Sequence, residues 1–249
     1  MKKRPTILVC NDDGIHGPGL PALIAAMRRL GRVVVCVPDQ ERSADSHSLT
    51  LHKPLRARRT GPEEWALNGS PADCARFGLL HLLEGRADLA VSGINRGYNL
   101  GEDVIYSGTV AAAMEATLLR VSAAAFSADP DTRDYRPAAD YARRLAAQIL
   151  RRGLAQGTCL NVNFPQPQRG GYKSAVLARL GRRIYGTDIT RRADPRGSEY
   201  FWLAGRRVRG VDEPGTDVAA VARGRASVTP LKIDRTDLDA MRALGEWPL

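Results

Sequence analysis

The chemistry of this chain starts at Asn11-Asp12-Asp13-Gly14, where two adjacent carboxylates follow the apolar run Ile7–Cys10. Neighbouring carboxylates repel unless a cation or a shared proton compensates them. Hard divalent cations prefer such oxygen ligands. The same four residue types also favour turns, so a capped turn is the bland alternative. Two further polar, glycine-marked segments carry oxygen donors. Gln40–Thr50 offers Ser43, Ser46 and Ser48, and Gly93–Thr109 offers Asn95, Asn99, Ser107 and Thr109. Carboxylates, a hydroxyl and an amide carbonyl form an all-oxygen set suited to magnesium, manganese or calcium. Zinc is disfavoured, because Cys10, Cys36, Cys74 and Cys159 are scattered without ligand spacing. The turn Ser107-Gly108-Thr109-Val110 opens a predicted helix, and helix N-termini bind anions. A divalent metal beside a phosphate cradle points to phosphoryl transfer to water.

These loops need a scaffold that brings them to one edge. Apolar runs at Thr6–Cys10, Val33–Val37, Asp88–Ser92, Ser122–Ser127 and Leu160–Phe164 read as buried strands. Helical segments fall at Leu20–Leu30, Pro71–Leu83, Val110–Leu119 and Arg136–Arg151. Ser70 is placed to cap the second helix, with Pro71 at its first position. The alternation predicts an α/β fold, a three-layer and mostly parallel sheet, in which all three loops leave the carboxyl edge. After Pro165 the texture changes to Pro, Gly and Arg. Short runs at Ser174–Leu180, Tyr200–Leu203 and Ala226–Leu231 are expected to form a C-terminal β-hairpin extension, followed by a short helix at Leu238–Leu244. Residues 1–165 are thus expected to form the core carrying the metal site. Residues 166–249 are expected to be an oligomerising extension of the same structural domain.

The 249 residues, 43% hydrophobic, are sufficient for one sizeable core. No apolar run approaches the ~20 residues of a membrane span, and the run after the basic N-terminus is too short for a secretory signal. Four scattered thiols fit a reducing compartment, so a cytoplasmic location is expected. The net charge of +10 is concentrated between Arg179 and Arg209, where nine arginines face three acids. Such a region attracts polyanions or steers a phosphorylated substrate, although a solvated surface accounts for most of these positions. A nucleic-acid-binding protein is the non-enzymatic rival, with no helix-turn-helix or zinc-finger pattern to support it. Among enzymes, an aspartyl-nucleophile phosphatase of the haloacid dehalogenase type calls for Asp-x-Asp, and here the carboxylates are adjacent. A dinucleotide-dependent oxidoreductase lacks its Gly-x-Gly-x-x-Gly.

Asn11-Asp12-Asp13-Gly14, Pro38-Asp39 with Arg42-Ser43, Ser48-Leu49-Thr50, Ser92-Gly93-Ile94-Asn95 with Gly97, and Tyr106 to Glu115 together resemble the stationary-phase survival protein SurE family. Asp194 to Gly197, Pro214 to Asp217 and Thr229-Pro230-Leu231 extend the resemblance over nearly the whole chain. The resemblance implies a Rossmann-like core and a metal-dependent 5′/3′-nucleotidase acting on nucleoside monophosphates, with short polyphosphate as a further substrate. It implies one divalent ion per subunit, magnesium or manganese, with calcium an alternative in crystals, held by Asp12, Asp13, Ser43 and Asn95. It places the phosphate near Asn95, Ser107, Gly108 and Thr109, with Asp12, Asp13 and Asn95 as catalytic residues. Asp12 or Asp13 orients or deprotonates the attacking water. A homodimer or homotetramer is implied, and neither membrane nor nucleic acid is required. The chain departs from the family at Ala44-Asp45-Ser46-His47, Ser70 and Tyr98, which bears on loop conformation and nucleotide preference. His16 and His47 read as surface residues rather than catalysts.

Overall fold

A computed structural model describes residues 4–167, 171–172, 174–187, 189–203 and 208–247. Its first half alternates as expected. Strand β1 (Thr6–Cys10), helix α1 (Leu20–Arg28) and strand β2 (Arg32–Pro38) are followed by a hairpin, β3 (Ala57–Gly61) and β4 (Glu64–Leu67). Then come α2 (Pro71–Phe77), β5 (Leu89–Arg96), α3 (Gly108–Leu118), β6 (Ala123–Ala128), α4 (Arg136–Arg152) and β7 (Thr158–Phe164). The remainder holds β8 (Ala175–Leu177), β9 (Arg183–Tyr185), β10 (Thr190–Ala193), β11 (Glu199–Trp202), β12 (Val208–Gly210), α5 (Asp217–Ala222), β13 (Ala226–Lys232) and α6 (Leu238–Leu244).

The main sheet has the order β3-β4-β2-β1-β5-β6-β7-β13-β8. From β4 to β7 all neighbours run parallel. Strand β3 is antiparallel to β4, and β13 is antiparallel to β7. Successive strands step one way from β1 to β2 and the other way from β5 to β7. The order therefore reverses between β1 and β5, and a crevice opens at such a switch point outside the carboxyl ends of the strands.

Alternation along β1 divides the core. Ile7 and Val9 join the residues under α1 and α4, while Leu8 and Cys10 join those under α2 and α3. All four cysteines are free, buried and on the α2/α3 side, acting as small hydrophobes. Helix α3 is buried from Gly108 to Thr117, and its alanines let it lie close against the sheet. The predicted Ser70 cap is present, and Asp73 completes a capping box by accepting from the Ser70 N–H.

Three expectations change. The helix expected over Pro71–Leu83 ends at Phe77 and continues as a wider π-type turn, Gly78–Leu82. There a Cβ on Gly78 would lie 2.6 Å from a Leu8 methyl, so only glycine permits this approach to β1. The β3–β4 hairpin was not anticipated, because β3 is an exposed Arg-rich strand without hydrophobic alternation. Ser174–Leu180 and Ala226–Leu231 do not form hairpins of an extension. Their strands β8 and β13 complete the main sheet, since pairing with β7 satisfies the backbone of β13 and buries Leu231. Outside the main sheet, antiparallel pairing among the described residues joins the consecutive strands β10 and β11 as a hairpin and β9 with β12 around it.

The basic stretch is partly neutralised. Arg179 pairs with Glu213, Arg183 with Asp103 and Arg191 with Glu199, and Arg182 lies 4.0 Å from Glu102. Arg206 and Arg207 fall outside the described residues. No helix among the described residues is long and apolar enough to cross a membrane.

Candidate active site at the carboxyl edge of the sheet

The loop after β1 closes on itself. The Asn11 side-chain amide donates to the Gly14 carbonyl at 2.7 Å, and Gly14 adopts φ +77°. A Cβ there would also strike the Gln40 carbonyl carbon at 2.8 Å. The loop is joined to its two neighbours through backbone amides. Arg42 N–H donates to the Asp12 carbonyl at 2.8 Å, and Arg96 N–H donates to Asp13 Oδ2 at 3.2 Å. Ser43 and Asn95 are the adjacent residues in each case. Two backbone amides thus tie Asp12 to the loop that carries Ser43, and Asp13 to the strand that carries Asn95.

Each donor is in a distinct state. Asp12 is 5% exposed and its carboxylate is held by both the amide (3.0 Å) and the hydroxyl of Thr109. Asp13 is half-buried, with no hydrogen bond to Oδ1 among the described residues. Asn95 donates its Nδ2 to Gly97 at 3.0 Å, and its amide oxygen has no hydrogen bond among the described residues. Ser43 is exposed and donates its hydroxyl to Glu41 at 2.7 Å. Asp13, His16, Gln40, Glu41, Ser43 and Arg96 line a cleft of about 380 Å³.

Burial raises the pKa of Asp12 against the opposing Thr109 hydrogen bonds. Burial, followed by the charge of Asp12, pushes Asp13 up to about 6. Glu41 adds to both. These three carboxylates form no ion pair among the described residues, although Arg96 contributes a weaker opposing charge to Asp13. No group of three or more His, Cys, Asp and Glu side chains among the described residues has metal-holding geometry. Ser43 and Asn95 offer neutral oxygens in the segments adjoining the two carboxylates. That all-oxygen donor set, crowded with unneutralised carboxylate, fits magnesium or manganese.

The first turn of α3 is more committed than the sequence suggested. Ser107 N–H donates to the Asp103 carbonyl, Val110 N–H to the Ser107 hydroxyl oxygen, and Thr109 N–H to Asp12. Gly108 N–H has no such bond among the described residues, and the Ser107 hydroxyl still has its proton to donate. Thr109 thus acts first on Asp12, placing a buried carboxylate at the positive end of a helix. Gly108 permits the contact, since a Cβ would lie 2.9 Å from Asp12 Cβ.

The other polar residues of the loops serve the scaffold. His47 and Arg76 both donate to Glu115, which is 1% exposed, at 2.9 and 2.7 Å. Ser46 bonds the Tyr106 and Ile105 carbonyls through its amide and hydroxyl, and Ser70 donates its hydroxyl to the Ser48 carbonyl. These contacts pin the loop that carries Ser43. Asn99 is buried in a network with Ser127, Asn161 and Asn163. Glu41 and Arg96 escaped the sequence reading. Arg96 follows Asn95 directly and Glu41 precedes Ser43 by two, but a lone exposed charge carries no pattern.

Comparison with known proteins places this arrangement in context. A family model described as Survival protein SurE matches residues 7–187. A protein of Moorella thermoacetica named 5′-nucleotidase SurE is 49% identical over 97% of this chain and 95% of its own length. One of the same name from Geobacter sulfurreducens is 46% identical, covering 98% and 94%. The crystal structure of a SurE protein from Aquifex aeolicus superposes with a TM-score of 0.85 at 38% identity, covering 96% of this chain and 98% of that one.

Proposed function

The chain belongs to the SurE family, and from that membership we propose that it is a divalent-metal-dependent nucleotidase. It hydrolyses nucleoside 5′- and 3′-monophosphates to nucleoside and inorganic phosphate, with short polyphosphate as a further substrate. The observation that carries this reading is the Asp12–Asp13 pair at the switch point, crowded by Glu41 without an ion-pairing side chain among the described residues.

Asp12, Asp13, Ser43 and Asn95 are the residues that would hold one magnesium or manganese ion per subunit. When bound, that ion supplies Lewis acidity towards the phosphoryl oxygens and acidifies water. The chain's own groups do the rest. The Gly108 amide, the Ser107 hydroxyl and Asn95 bind the phosphate. Thr109 locks Asp12 in one orientation through one hydrogen bond to each carboxylate oxygen, which leaves the remaining lone pairs for the metal and Asp12 in a holding role. Asp13 keeps Oδ1 uncommitted, so it takes the proton of the attacking water. The water oxygen bonds to phosphorus as the ester P–O bond breaks, the leaving sugar oxygen takes a proton from solvent, and Asp13 returns to solvent the proton it received. No phosphoenzyme forms, and phosphate trapped on Asp12 or Asp13 by acid quench would refute this direct attack.

Self-association as a dimer or tetramer is part of the proposal. It is supported by exposed apolar side chains on β11 (Tyr200, Phe201 and Trp202) and on α6 (Leu238, Met241 and Leu244). Residues 166–249 are the segment that would supply these contacts. The four free buried thiols support a cytoplasmic location.

The deciding experiment is phosphate release from a panel of 5′- and 3′-nucleoside monophosphates with magnesium, manganese or EDTA. Turnover that requires metal and is lost in Asp12→Asn is expected. Folded protein that releases no phosphate with either metal would overturn the proposal and turn attention to salt-sensitive polyanion binding.

A further inference from the structure

Between β5 and α3 the chain makes one short 3-10 turn, Gly101–Ile105, which leads directly into Ser107 and the first turn of α3. Turns of this kind have poor hydrogen-bond geometry and hold themselves weakly. This one is held from outside, by residues that follow β8. Gly101 N–H donates to Asp217 Oδ2 at 3.0 Å, and Gly181 N–H donates to Oδ1 of the same buried carboxylate at 2.7 Å. Arg183 N–H donates to Glu102 Oε2 at 2.7 Å. The buried Asp103 carboxylate accepts from the Arg183 guanidinium on one oxygen and from the Tyr185 hydroxyl on the other. Just before the turn, Leu100 packs with Val218 and Val221.

Asp103 reaches the site through its backbone. Its carbonyl accepts from Ser107 N–H and from Tyr106 N–H, each at 3.0 Å. The neighbours of Ser107 have other anchors, since Thr109 is fixed on Asp12 and Gly108 lies against Asp12 and Pro71. Ser107 itself has its N–H on Asp103 and its hydroxyl oxygen on Val110 N–H. The place of Ser107 therefore depends on Asp103, and Arg183 and Tyr185 hold Asp103. Arg183 belongs to the basic stretch Arg179–Arg209, yet its side chain is only 20% exposed, against 73% for the adjacent Arg182. Its charge is directed into the molecule, where screening by salt is weak.

We propose that Arg183 and Tyr185 are positioning residues of the phosphate site, acting through Asp103 to set the Ser107 hydroxyl that meets the phosphate. The inference rests on the nucleotidase reading and deepens it, because it gives a segment beyond the parallel strands a part in the reaction. Neither side chain touches the substrate. The Ser107 contact is present with bound ester, in the transition state and with product phosphate alike. Its loss weakens all three equally, so it appears in KM rather than in kcat. Magnesium binding is spared, because Asp12 is held by Thr109 and the Ser43 loop is held by the Asp12 carbonyl and by Glu115.

The test measures 5′-AMP turnover, competitive inhibition by inorganic phosphate, and magnesium affinity by calorimetry. In Tyr185→Phe, the KM for 5′-AMP and the inhibition constant of phosphate rise together by about threefold, the scale of one weakened hydrogen bond. In Arg183→Leu, which leaves the Asp103 charge without its cation, both rise by about tenfold, and Arg183→Lys recovers most of the loss. In each variant kcat and magnesium affinity stay close to wild type. Phosphate inhibition unchanged in both Tyr185→Phe and Arg183→Leu overturns the proposal, even where the thermal midpoint falls, since a merely structural clamp would do only that. Should Arg183→Leu fail to fold, Tyr185→Phe decides alone, because it keeps the ring and the ion pair. Wild-type protein that fails to hydrolyse 5′-AMP removes the nucleotidase reading and the positioning role with it. Wild type active on 5′-AMP, with KM and phosphate inhibition unchanged in the variants, removes the positioning role alone.

Discussion

At the scale of single residues, the site depends on how a buried carboxylate is kept ionised and fixed. Asp12 has its charge disfavoured by burial and is sustained by the two Thr109 donors. Thr109→Val removes the hydroxyl at nearly constant volume. We expect magnesium affinity, measured by calorimetry, to fall about tenfold, as is typical when an outer-shell partner of a metal ligand is lost. The thermal midpoint should fall as well, because a buried carboxylate loses one of its two donors. Glu115 is the second buried carboxylate that matters. Burial pushes its pKa up, but hydrogen bonds from His47 and Arg76 outweigh it and hold the group below the ordinary glutamate range. A carboxylate depressed in the folded state contributes stability above its unfolded pKa and loses it as pH falls through the folded value. Glu115→Gln should therefore cost about 2 kcal/mol at neutral pH, the scale of hydrogen bonds to a buried charge. It should cost progressively less under acid conditions. Urea unfolding at neutral and acid pH gives both numbers, and an equal cost at both would refute the charge-based account.

At the scale of elements, the decisive contact is α3 against the loop after β1. Gly108 is the first residue of the helix, and an added Cβ would meet Asp12 Cβ at 2.9 Å and Pro71 Cγ at 2.8 Å. Both neighbours are held, Asp12 by Thr109 and Pro71 at the start of α2, so neither yields easily. Gly108→Ala should lower kcat by at least tenfold through displacement of Asp12, consistent with the sensitivity of catalysis to small misplacements. It should also destabilise the fold by about 1–3 kcal/mol, the usual result of overpacking. Full activity of this variant in phosphate-release assays would show that the α3 contact is looser than its geometry indicates.

At the scale of the whole molecule, the sheet and its terminal segments divide the labour. The strands from β4 to β7 carry the loops of the site, and β13 and β8 extend the sheet away from it. The β10–β11 hairpin and α6 expose large apolar side chains, with Phe201 54% and Trp202 60% exposed. Exposed large apolar side chains on one element are candidates for a contact surface, as proposed above. Phe201→Glu combined with Trp202→Glu should reduce the mass seen by light scattering while leaving the far-ultraviolet circular dichroism intact. An unchanged mass would refute the proposal that these side chains carry self-association.

The central strands and the helices between them were legible in the chain, and so were the oxygen-bearing residues proposed as donors. Buried parallel strands are written as continuous apolar runs, and Asp-Asp, Asn and Ser at loop starts are local signals that survive without a partner. The Ser70 cap was legible for the same reason, since its chemistry lies within four residues. Tertiary structure alone decided which neighbours those donors would have. That Thr109 grips Asp12 from 97 positions away, that Glu115 holds His47 across 68, and that β13 returns to pair with β7 all depend on chain crossings. Such pairings leave no periodicity behind.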